Sequence, residues 1–333
     1  MARTRRVALL IDSACQVERD PGLLTRRAFR HAPMEYYLAR AMREHGYDVT
    51  VLPCRNGRQL VTELTALRPD VVFNATEHLY GRHASDVHVA AMLEGLRLPY
   101  TGGSPATLLL CRDKAASKGL AAAVGVPAPG FALVPLGSRS GGALPPFPLV
   151  VKPAGRDSSE GVGVASFVRS ERDLAARIGV IHRRYRDAAI IEQFIPGVDV
   201  NVFVVEGRRL QIGPPTRRFI GAADTQSPYS MITYHAKHNN PYRARWRVRA
   251  EPLELSAATT RALHRDIHRL WPALRLRDYG RFDYRMTDDG DLYFLEANAN
   301  PGFSPMSRTE FWEWPDYAAA VRTVVENAVR RGS

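Results

Sequence analysis

Residues 280–302 read GRFDYRMTDDGDLYFLEANANPG, and the pattern of this segment indicates how the rest of the chain is built. Two apolar-rich runs flank Asp289-Gly290, a pair typical of a β-hairpin turn. The second run, LYFL, leads straight into the carboxylate of Glu296, and the chain stops only at Pro301-Gly302. A core strand that ends in charged and amide side chains predicts a site held rigidly by the hairpin.

The alternation of side chains along each strand predicts what this site contains. Arg281 and Asp283 share one face of the first strand, and Phe294, Glu296 and Asn298 share one face of the second. Counting outward from the turn places Asp283 opposite Glu296, and two facing carboxylates require protons or cations. Two carboxylates and an amide oxygen suit Mg²⁺. A strand end in which Arg281 pairs with Glu296 and Asn298 caps a turn fits the spacing equally well.

The first hundred residues alternate between strand and helix patterns, which predicts a parallel sheet with helices on both faces. The predicted strands are 7–11, 48–52, 70–76 and 99–102, and the predicted helices lie near 33–45, 57–67 and 86–96. No GxGxxG follows the first strand, which argues against a dinucleotide-binding Rossmann unit.

From residue 105 onwards the pattern changes to helices and short strands, which is typical of an α+β arrangement. The predicted strands are 149–153, 163–168, 189–195, 200–207 and 209–213, and the predicted helices are 105–124, 170–184, 254–274 and 315–330. Residues 214–245 have little periodicity, and a loop of this length in a compact enzyme predicts a functional lid.

Bulk composition restricts the class of protein. The chain has 333 residues, which is more than one hydrophobic core usually spans. Hydrophobic residues make up 45% and charged residues 24%, which is ordinary for a globular protein. No apolar run approaches the roughly 20 residues that cross a bilayer, and the run after the basic N-terminus is too short for a signal peptide. Three widely spaced cysteines indicate reduced thiols. We therefore expect a soluble cytoplasmic protein with no membrane partner.

The basic charge is distributed in an unusual way. The net charge is +12, and with lysine only at 114, 118, 152 and 237, the other 42 of the 46 basic residues are arginine. A uniform arginine bias argues against a nucleic-acid-binding face, and we expect no nucleic-acid partner; salt-sensitive DNA or RNA binding would indicate otherwise. Each lysine is a candidate for a role that arginine does not fill, except Lys118, which we interpret as a chance survivor.

Three further features suggest a nucleotide site. Lys152 precedes the loop PAGRDSSEGVGV, whose backbone N–H groups could wrap phosphates, although it is not a Walker A loop. Glu192 lies within the apolar run AIIEQFI, where a carboxylate could meet an adenine amino group, and Asp199 could accept from ribose hydroxyls. An edge strand with one solvated face explains Glu192 equally simply.

The order of these features along the chain resembles the ATP-grasp superfamily, and within it the D-alanine–D-alanine ligase-like carboxylate–amine ligases. The resemblance runs from about residue 70 to residue 308. It rests on PYTGGSPATLLLCRDKAASKGLAAAVGVPAPGF, VVKPAGRDSSEGVG, IIEQFIPG and GRFDYRMTDDGDLYFLEANANPGFS. It implies an ATP-grasp fold of three domains: residues 1–104, an N-terminal βαβ domain on the substrate side; 105–187, a central subdomain; and 188–333, a C-terminal subdomain with a lid at about 214–245.

The resemblance also implies a role for each matching residue. For ATP binding these residues are Lys114, Lys152, Ser159, Glu192, Phe194, Ile195, Asp199 and the lid residue Lys237. Two Mg²⁺ ions, replaceable by Mn²⁺, would be held by Asp283, Glu296 and Asn298. Arg281, Ser158 and Gly302 would be catalytic: Arg281 would neutralise charge at the acyl centre, and the Gly302 N–H would lie near the oxyanion. Ser307 would lie near the substrate.

The implied reaction forms an amide bond. A carboxylate attacks the γ-phosphate of ATP, and an amine then attacks the resulting acyl phosphate. Both steps build negative charge, so cations act mainly by electrostatic stabilisation and positioning. A lid would exclude water from the acyl phosphate.

The chain departs from D-alanine ligases around the amino-acid sites. Where those enzymes have a Gly/Ser-rich loop with a Glu after the first strand, this chain reads DSACQVERDPG, with Glu18 as the nearest candidate. Their His-Gly pair has a shifted counterpart in His78, and His238 follows the lid lysine where an aromatic residue is common. We therefore expect the same reaction on other amino-acid-like or carboxylate substrates, with authentic D-alanine–D-alanine ligase as the alternative. A non-catalytic nucleotide-binding protein is a further alternative, and a homodimer is possible.

Overall fold

The computed structural model describes residues 4–13, 34–79, 85–138, 142–156, 159–219, 249–304 and 317–332. Its first sheet has three parallel strands in the order β2-β1-β3. These are β1 (Arg6–Asp12), β2 (Asp48–Cys54) and β3 (Val71–Asn74), connected through α1 (Met34–Glu44) and α2 (Gly57–Leu67), and α3 (Asp86–Gly95) follows. The predicted βαβ order is confirmed. The predicted strand at 99–102 is wrong, because only a single bridge joins Tyr100 to Val72.

The alternation of β1 explains why helices cover both faces of this sheet. Val7, Leu9 and Ile11 pack in the core that contains α1 and the final helix α8 (Tyr317–Gly332). Ala8 and Leu10 point into the opposite core, with the apolar residues of α2 and α3. A strand buried on both faces is an uninterrupted apolar run, as VALLI is.

A helix break occurs where one continuous helix was predicted. The structure has α4 (Pro105–Arg112) and α5 (Lys114–Ala123) in place of the single helix predicted at 105–124. Asp113 between them is extended, and its side chain accepts from the backbone N–H groups of Ala115 and Ala116. An aspartate in this position is a strong N-cap, so the break places Lys114 in the first turn of a new helix.

The second sheet is antiparallel, in the order β4-β7-β5-β6. Its strands are β4 (Phe131–Val134), β5 (Leu149–Pro153), β6 (Phe167–Val168) and β7 (Ala189–Gln193), and α6 (Glu171–Val180) packs against it. The strand predicted at 163–168 is mostly a 3₁₀ turn at Val164–Ser166, and the helix predicted to 184 ends in a π turn. The predicted boundary between the second and third domains falls at residue 187, but β7, which follows it, belongs to this sheet. The three-domain division stays a prediction.

The third sheet has six strands, all paired antiparallel, in the order β11-β10-β8-β12-β13, with β9 also paired to β8. They are β8 (Val198–Glu206), β9 (Leu210–Ile212), β10 (Thr216–Phe219), β11 (Arg249–Pro252), β12 (Tyr279–Met286) and β13 (Leu292–Asn298), with α7 (Ala257–Ala273) between β11 and β12. Part of the predicted lid is therefore the strand β10, and residues 220–245 lie outside the described residues. The predicted fold class, α/β followed by α+β, is confirmed. No helix in the described ranges is long and apolar enough to cross a membrane.

Candidate active site

The hairpin β12–β13 carries the predicted metal ligands, with one departure from regular pairing. Asp283 pairs with Glu296, as predicted, and Arg281 pairs with Asn298, but the register then shifts so that Tyr284 pairs with Phe294. One extra residue on β13 therefore has no partner on β12, which is a β-bulge. The bulge reverses the alternation of the strand. Phe294 lies in the core at 0% exposure, and the prediction that it shares a face with Glu296 and Asn298 is wrong.

Asp283 and Glu296, the facing carboxylates of this hairpin, each have a nearby cation. The guanidinium of Arg281 donates to both oxygens of Asp283, at 2.8 and 3.1 Å, and Lys114 Nζ lies 3.9 Å from Glu296 Oε2. The buried Asn298 Nδ2 has no hydrogen-bond partner within the described residues. In those same ranges no group of three or more His, Cys, Asp or Glu side chains is placed to hold a metal ion. Two carboxylates and one amide are nevertheless a donor set that fits Mg²⁺, which completes its coordination with water and phosphate oxygens.

A buried cluster of two lysines and one carboxylate lies behind the hairpin. Lys152 Nζ, from β5, is 2.7 Å from Glu192 Oε2, and Lys118 Nζ, from α5, is 3.0 Å from Oε1. Lys118 also donates to the carbonyl of Leu295, the residue at the bulge. The interpretation of Lys118 as a chance survivor is therefore wrong: it is 0% exposed and joins the two sheets.

Burial and charge shift the pKa values of this cluster in opposite directions. Burial lowers the pKa of Lys118 to about 8, against the attraction of Glu192. Burial also opposes the charge of Lys152, but Glu192 and Glu296 outweigh it and raise the pKa of that lysine. For Glu192 the two lysines outweigh burial and lower the pKa, so the carboxylate is ionised. Glu192 Oε1 lies 3.0 Å from Lys118 Nζ and Oε2 lies 2.7 Å from Lys152 Nζ, so each oxygen of this buried carboxylate faces a cation.

Lys152 and Glu192 of this cluster border a cavity of about 140 Å³, here called the lysine cavity. Its lining includes the predicted nucleotide residues that the structure describes: Lys114, Lys152, Ser159, Glu192, Phe194, Ile195 and Asp199, together with Asp283 and Glu296. Lys114 Nζ donates to the carbonyl of Arg156 in the loop after β5. The structure thus brings together cations, a carboxylate pair and apolar walls, an arrangement suited to a polyphosphate attached to an aromatic base.

A second cavity of about 110 Å³, here called the arginine cavity, is lined by Arg281, Asn298 and Gly302. Arg112 and Asp86 form a buried ion pair at 2.5 Å in its wall, and Glu77 also lines it. Arg281 borders this cavity while its partner Asp283 borders the lysine cavity, so a single ion pair lies between the two.

The carboxyl end of β1 fixes one wall of the arginine cavity. Asp12 Oδ1 accepts from the backbone N–H groups of Glu77 and His78, at 3.0 and 2.9 Å, and Oδ2 lies 2.8 Å from His78 Nδ1. His78 does not line the arginine cavity, whereas its neighbour Glu77 does. The Glu77 carboxylate forms no hydrogen bond or ion pair with another residue in the described part of the chain.

Five predicted site residues lie outside the described residues: Glu18, Ser158, Lys237, His238 and Ser307. Five residues that the sequence interpretation missed belong to the two cavities or brace them: Asp12, Glu77, Arg112, Lys118 and Arg285. Arg112 stands two residues before the predicted phosphate ligand Lys114, and Arg285 alternates with Arg281 and Asp283, so spacing alone could have indicated both. The burial of Lys118 arises from contacts distant in sequence.

Comparison with known proteins identifies the family. Residues 143–316 match the family model described as D-ala D-ala ligase C-terminus. The chain is 32% identical over 303 residues to D-alanine–D-alanine ligase of Syntrophotalea carbinolica, covering 91% of this chain and 88% of that protein. It is 32% identical over 276 residues to the uncharacterized protein y4sG of Sinorhizobium fredii, covering 80% and 78%.

The fold agrees with this result. The crystal structure of D-alanine–D-alanine ligase from Bacillus anthracis complexed with ATP superimposes with a TM-score of 0.72 at 18% identity, over 99% of each chain. Ligases of this family use ATP and Mg²⁺. The sequence match over most of its length and the hairpin site lead to one conclusion: the chain belongs to the D-alanine–D-alanine ligase family and is an ATP-grasp, ADP-forming ligase.

Proposed function

We propose that the protein joins two small amino acids through an amide bond, with cleavage of ATP to ADP and phosphate, and that D-alanine is the first substrate to test. The observation that carries this proposal is the Arg281–Asp283 ion pair between the lysine cavity and the arginine cavity. A reaction that transfers phosphate to a carboxylate needs its two substrates to meet at such a boundary.

The lysine cavity would hold ATP. Lys114 and Lys152 would neutralise phosphate charge, and the buried Glu192 would accept from the adenine amino group. Asp283, Glu296 and Asn298 would hold Mg²⁺, which supplies Lewis-acid stabilisation of the phosphate charge. Charge that is fixed before the reaction costs no reorganisation as the transition state forms.

The arginine cavity would hold the amino acids. A substrate carboxylate near Arg281 would attack the γ-phosphate and become an acyl phosphate with release of ADP. The amine of the second amino acid would then attack the acyl carbon and displace phosphate. The backbone N–H of Gly302 would donate to the oxyanion of that step, and Glu77 would hold a substrate ammonium group. The volume of the cavity, about 110 Å³, favours small amino acids, and Leu108 and Cys111 provide apolar walls for their side chains.

The relatives support the choice of D-alanine, since several at about 30% identity carry the name D-alanine–D-alanine ligase. The ion pair of Arg112 and Asp86 is a reason to screen other amino acids and carboxylates besides D-alanine. A buried charged pair in the cavity wall selects polar groups on a ligand. A protein that binds the nucleotide without turnover is the competing hypothesis.

The test is an ADP-release screen of the purified protein with ATP, Mg²⁺ and pairs of D- and L-amino acids and small carboxylates, with mass spectrometry of the products. We expect ADP and a dipeptide in equal amounts for at least one pair that contains a small amino acid. ATP binding without ADP release for every pair would refute the proposed ligase activity and support the competing hypothesis.

A further inference from the structure

Arg285 on β12 is a buried arginine in the wall of the lysine cavity, and it contacts three residues of one short segment, 194–199. Its Nε donates to the carbonyl of Ile195 at 2.9 Å, and its Nη1 donates to Asp199 Oδ1 at 2.8 Å. Its guanidinium carbon lies 5.6 Å from the centre of the Phe194 ring. With 5% of the residue exposed, Arg285 is held in place by these three neighbours.

The segment that Arg285 holds is the connection between two sheets. Residues 194–197 link β7 of the four-stranded sheet to β8 of the six-stranded sheet. At Gly197 the backbone has φ +132°, and a Cβ there would lie 1.8 Å from the carbonyl oxygen of Met286. The connection therefore contacts β12 at two points. Gly197 packs against the backbone of Met286, and the carbonyl of Ile195 accepts a hydrogen bond from Arg285. Few alternative conformations are open to it.

The ion pair with Asp199 determines how that carboxylate can meet a ligand. Arg285 occupies Oδ1, and no other described residue bonds to Oδ2, while Asp199 lines the lysine cavity. A carboxylate with one oxygen fixed and one available is suited to accept hydrogen bonds from the hydroxyl groups of a ribose. Lysine would not replace Arg285, because one ammonium lacks the planar fork that serves the carbonyl and the carboxylate together.

We propose that Arg285 is a positioning residue for the nucleotide: it fixes Asp199 and the 194–197 connection in the arrangement that holds the ribose. The proposal deepens the proposed function, since it takes the lysine cavity as the ATP site. Arg285 acts through Asp199, so its contribution depends on the presence of ribose hydroxyl groups.

The test measures nucleotide binding by isothermal titration calorimetry, with Mg²⁺ and without amino acids, so that no turnover is needed. The ligands are ATP and 2′,3′-dideoxy-ATP, which lacks both ribose hydroxyl groups. Arg285→Met retains the length of the side chain and loses its donors, and Arg172→Met is the matched control at an exposed arginine of α6. We expect Arg285→Met to weaken the binding of ATP about 10-fold, the usual effect of losing hydrogen bonds to a charged group. The binding of dideoxy-ATP should weaken less than about 3-fold.

Other outcomes overturn the proposal. Unchanged ATP affinity would show that Arg285 has no positioning role, and an equal loss for both nucleotides would show a general disturbance of the cavity. If Arg285→Met does not fold, Asp199→Asn and Arg285→Lys replace it in the test. The proposal requires both variants to bind ATP more weakly and to bind dideoxy-ATP as the native protein does. Failure of the ligase activity is separable: a protein that joins no amino acids but shows this ribose-dependent loss refutes the proposed function and leaves the role of Arg285 standing.

Discussion

Lys118 Nζ lies 3.0 Å from Glu192 Oε1 although the two residues come from different elements, α5 and β7, and both are almost fully buried. With Lys152 they form a cluster of two cations and one anion. A buried charge is tolerated only when it is paired, so the single carboxylate has to neutralise two ammonium groups. The pKa of Lys118, lowered to about 8, reflects how incompletely it does so.

Replacing Glu192 by Gln is therefore expected to destabilise the fold by about 3–5 kcal/mol, the usual cost of removing one partner of a buried ion pair. The loss should shrink as the pH rises. Without the carboxylate, burial lowers the pKa of Lys118 further below that of the unfolded chain, and Lys152 loses the main attraction that raises its pKa. Between the folded and unfolded pKa values the unfolded chain binds more protons, so stability increases with pH.

Urea denaturation at pH 7 and pH 9 measures this effect, with Glu171→Gln, an exposed site on α6, as the control. We expect the difference in the free energy of unfolding between native protein and Glu192→Gln to be smaller at pH 9. A difference that is constant or larger at pH 9 would mean that the lysines are not left charged and buried.

The hairpin shows how far sequence reasoning reaches in this protein. The Asp289-Gly290 turn and the period-two pattern predict both strands and the facing of Asp283 and Glu296, because these depend on neighbours in sequence. The bulge at Leu295 was not predicted, because it depends on how β13 packs against the core. Its carbonyl accepts from Lys118, 177 positions away, which no local pattern reveals.

The same division applies elsewhere. The break at Asp113 had a local signal, since aspartate is a preferred N-cap, and it was missed by weighing only the apolar period. Glu77 and Asp12 had no such signal. They meet because the carboxyl ends of β1 and β3 are adjacent in a parallel sheet, so that Asp12 binds the backbone of Glu77 across 65 residues.

Replacing Glu296 by Gln is expected to lower the rate of ADP release at least about 100-fold, since it removes one of two carboxylates that would hold Mg²⁺ at the developing charge. Stability should change little, because Glu296 is only partly buried and its ion-pair partner in the described part of the chain, Lys114, is 3.9 Å away. The measurement is steady-state ADP release together with the thermal midpoint, and Glu254→Gln on the surface is the control. Normal turnover by Glu296→Gln would remove this residue from the site.

The two cysteines in the described part of the chain should be inert in the native protein. Cys54 is 2% exposed, and burial, with repulsion from Asp12, raises the pKa of its thiol to about 11; Cys111 is 6% exposed. Only the thiolate reacts quickly with disulfide reagents. In a Cys15→Ser variant at pH 8, we expect no rapid reaction with Ellman's reagent, and two thiols after denaturation in guanidinium. Fast native labelling, assigned with Cys111→Ser, would show that one thiol is accessible.

Glu77 should select substrates that carry an amino group. Its backbone is fixed by Asp12, and its carboxylate lines the arginine cavity, whose other charged residues, Asp86, Arg112 and Arg281, are in ion pairs. A cavity carboxylate with no ion-pair partner among the residues that the structure describes favours a ligand ammonium. Glu77→Gln is therefore expected to raise the KM for D-alanine about 10-fold or more, the effect of losing a bond to a charged group, and to change kcat less.

A hydroxy acid separates this role from a structural one. D-lactate has the shape of D-alanine without the ammonium group, so its KM should be nearly the same in native protein and Glu77→Gln, while that of D-alanine rises. Kinetics of ADP release with either acid as the varied substrate give both values, and calorimetric binding in the presence of ATP gives them if turnover is slow. If Glu77→Gln weakens both acids equally, the carboxylate supports the cavity wall and does not read the amino group.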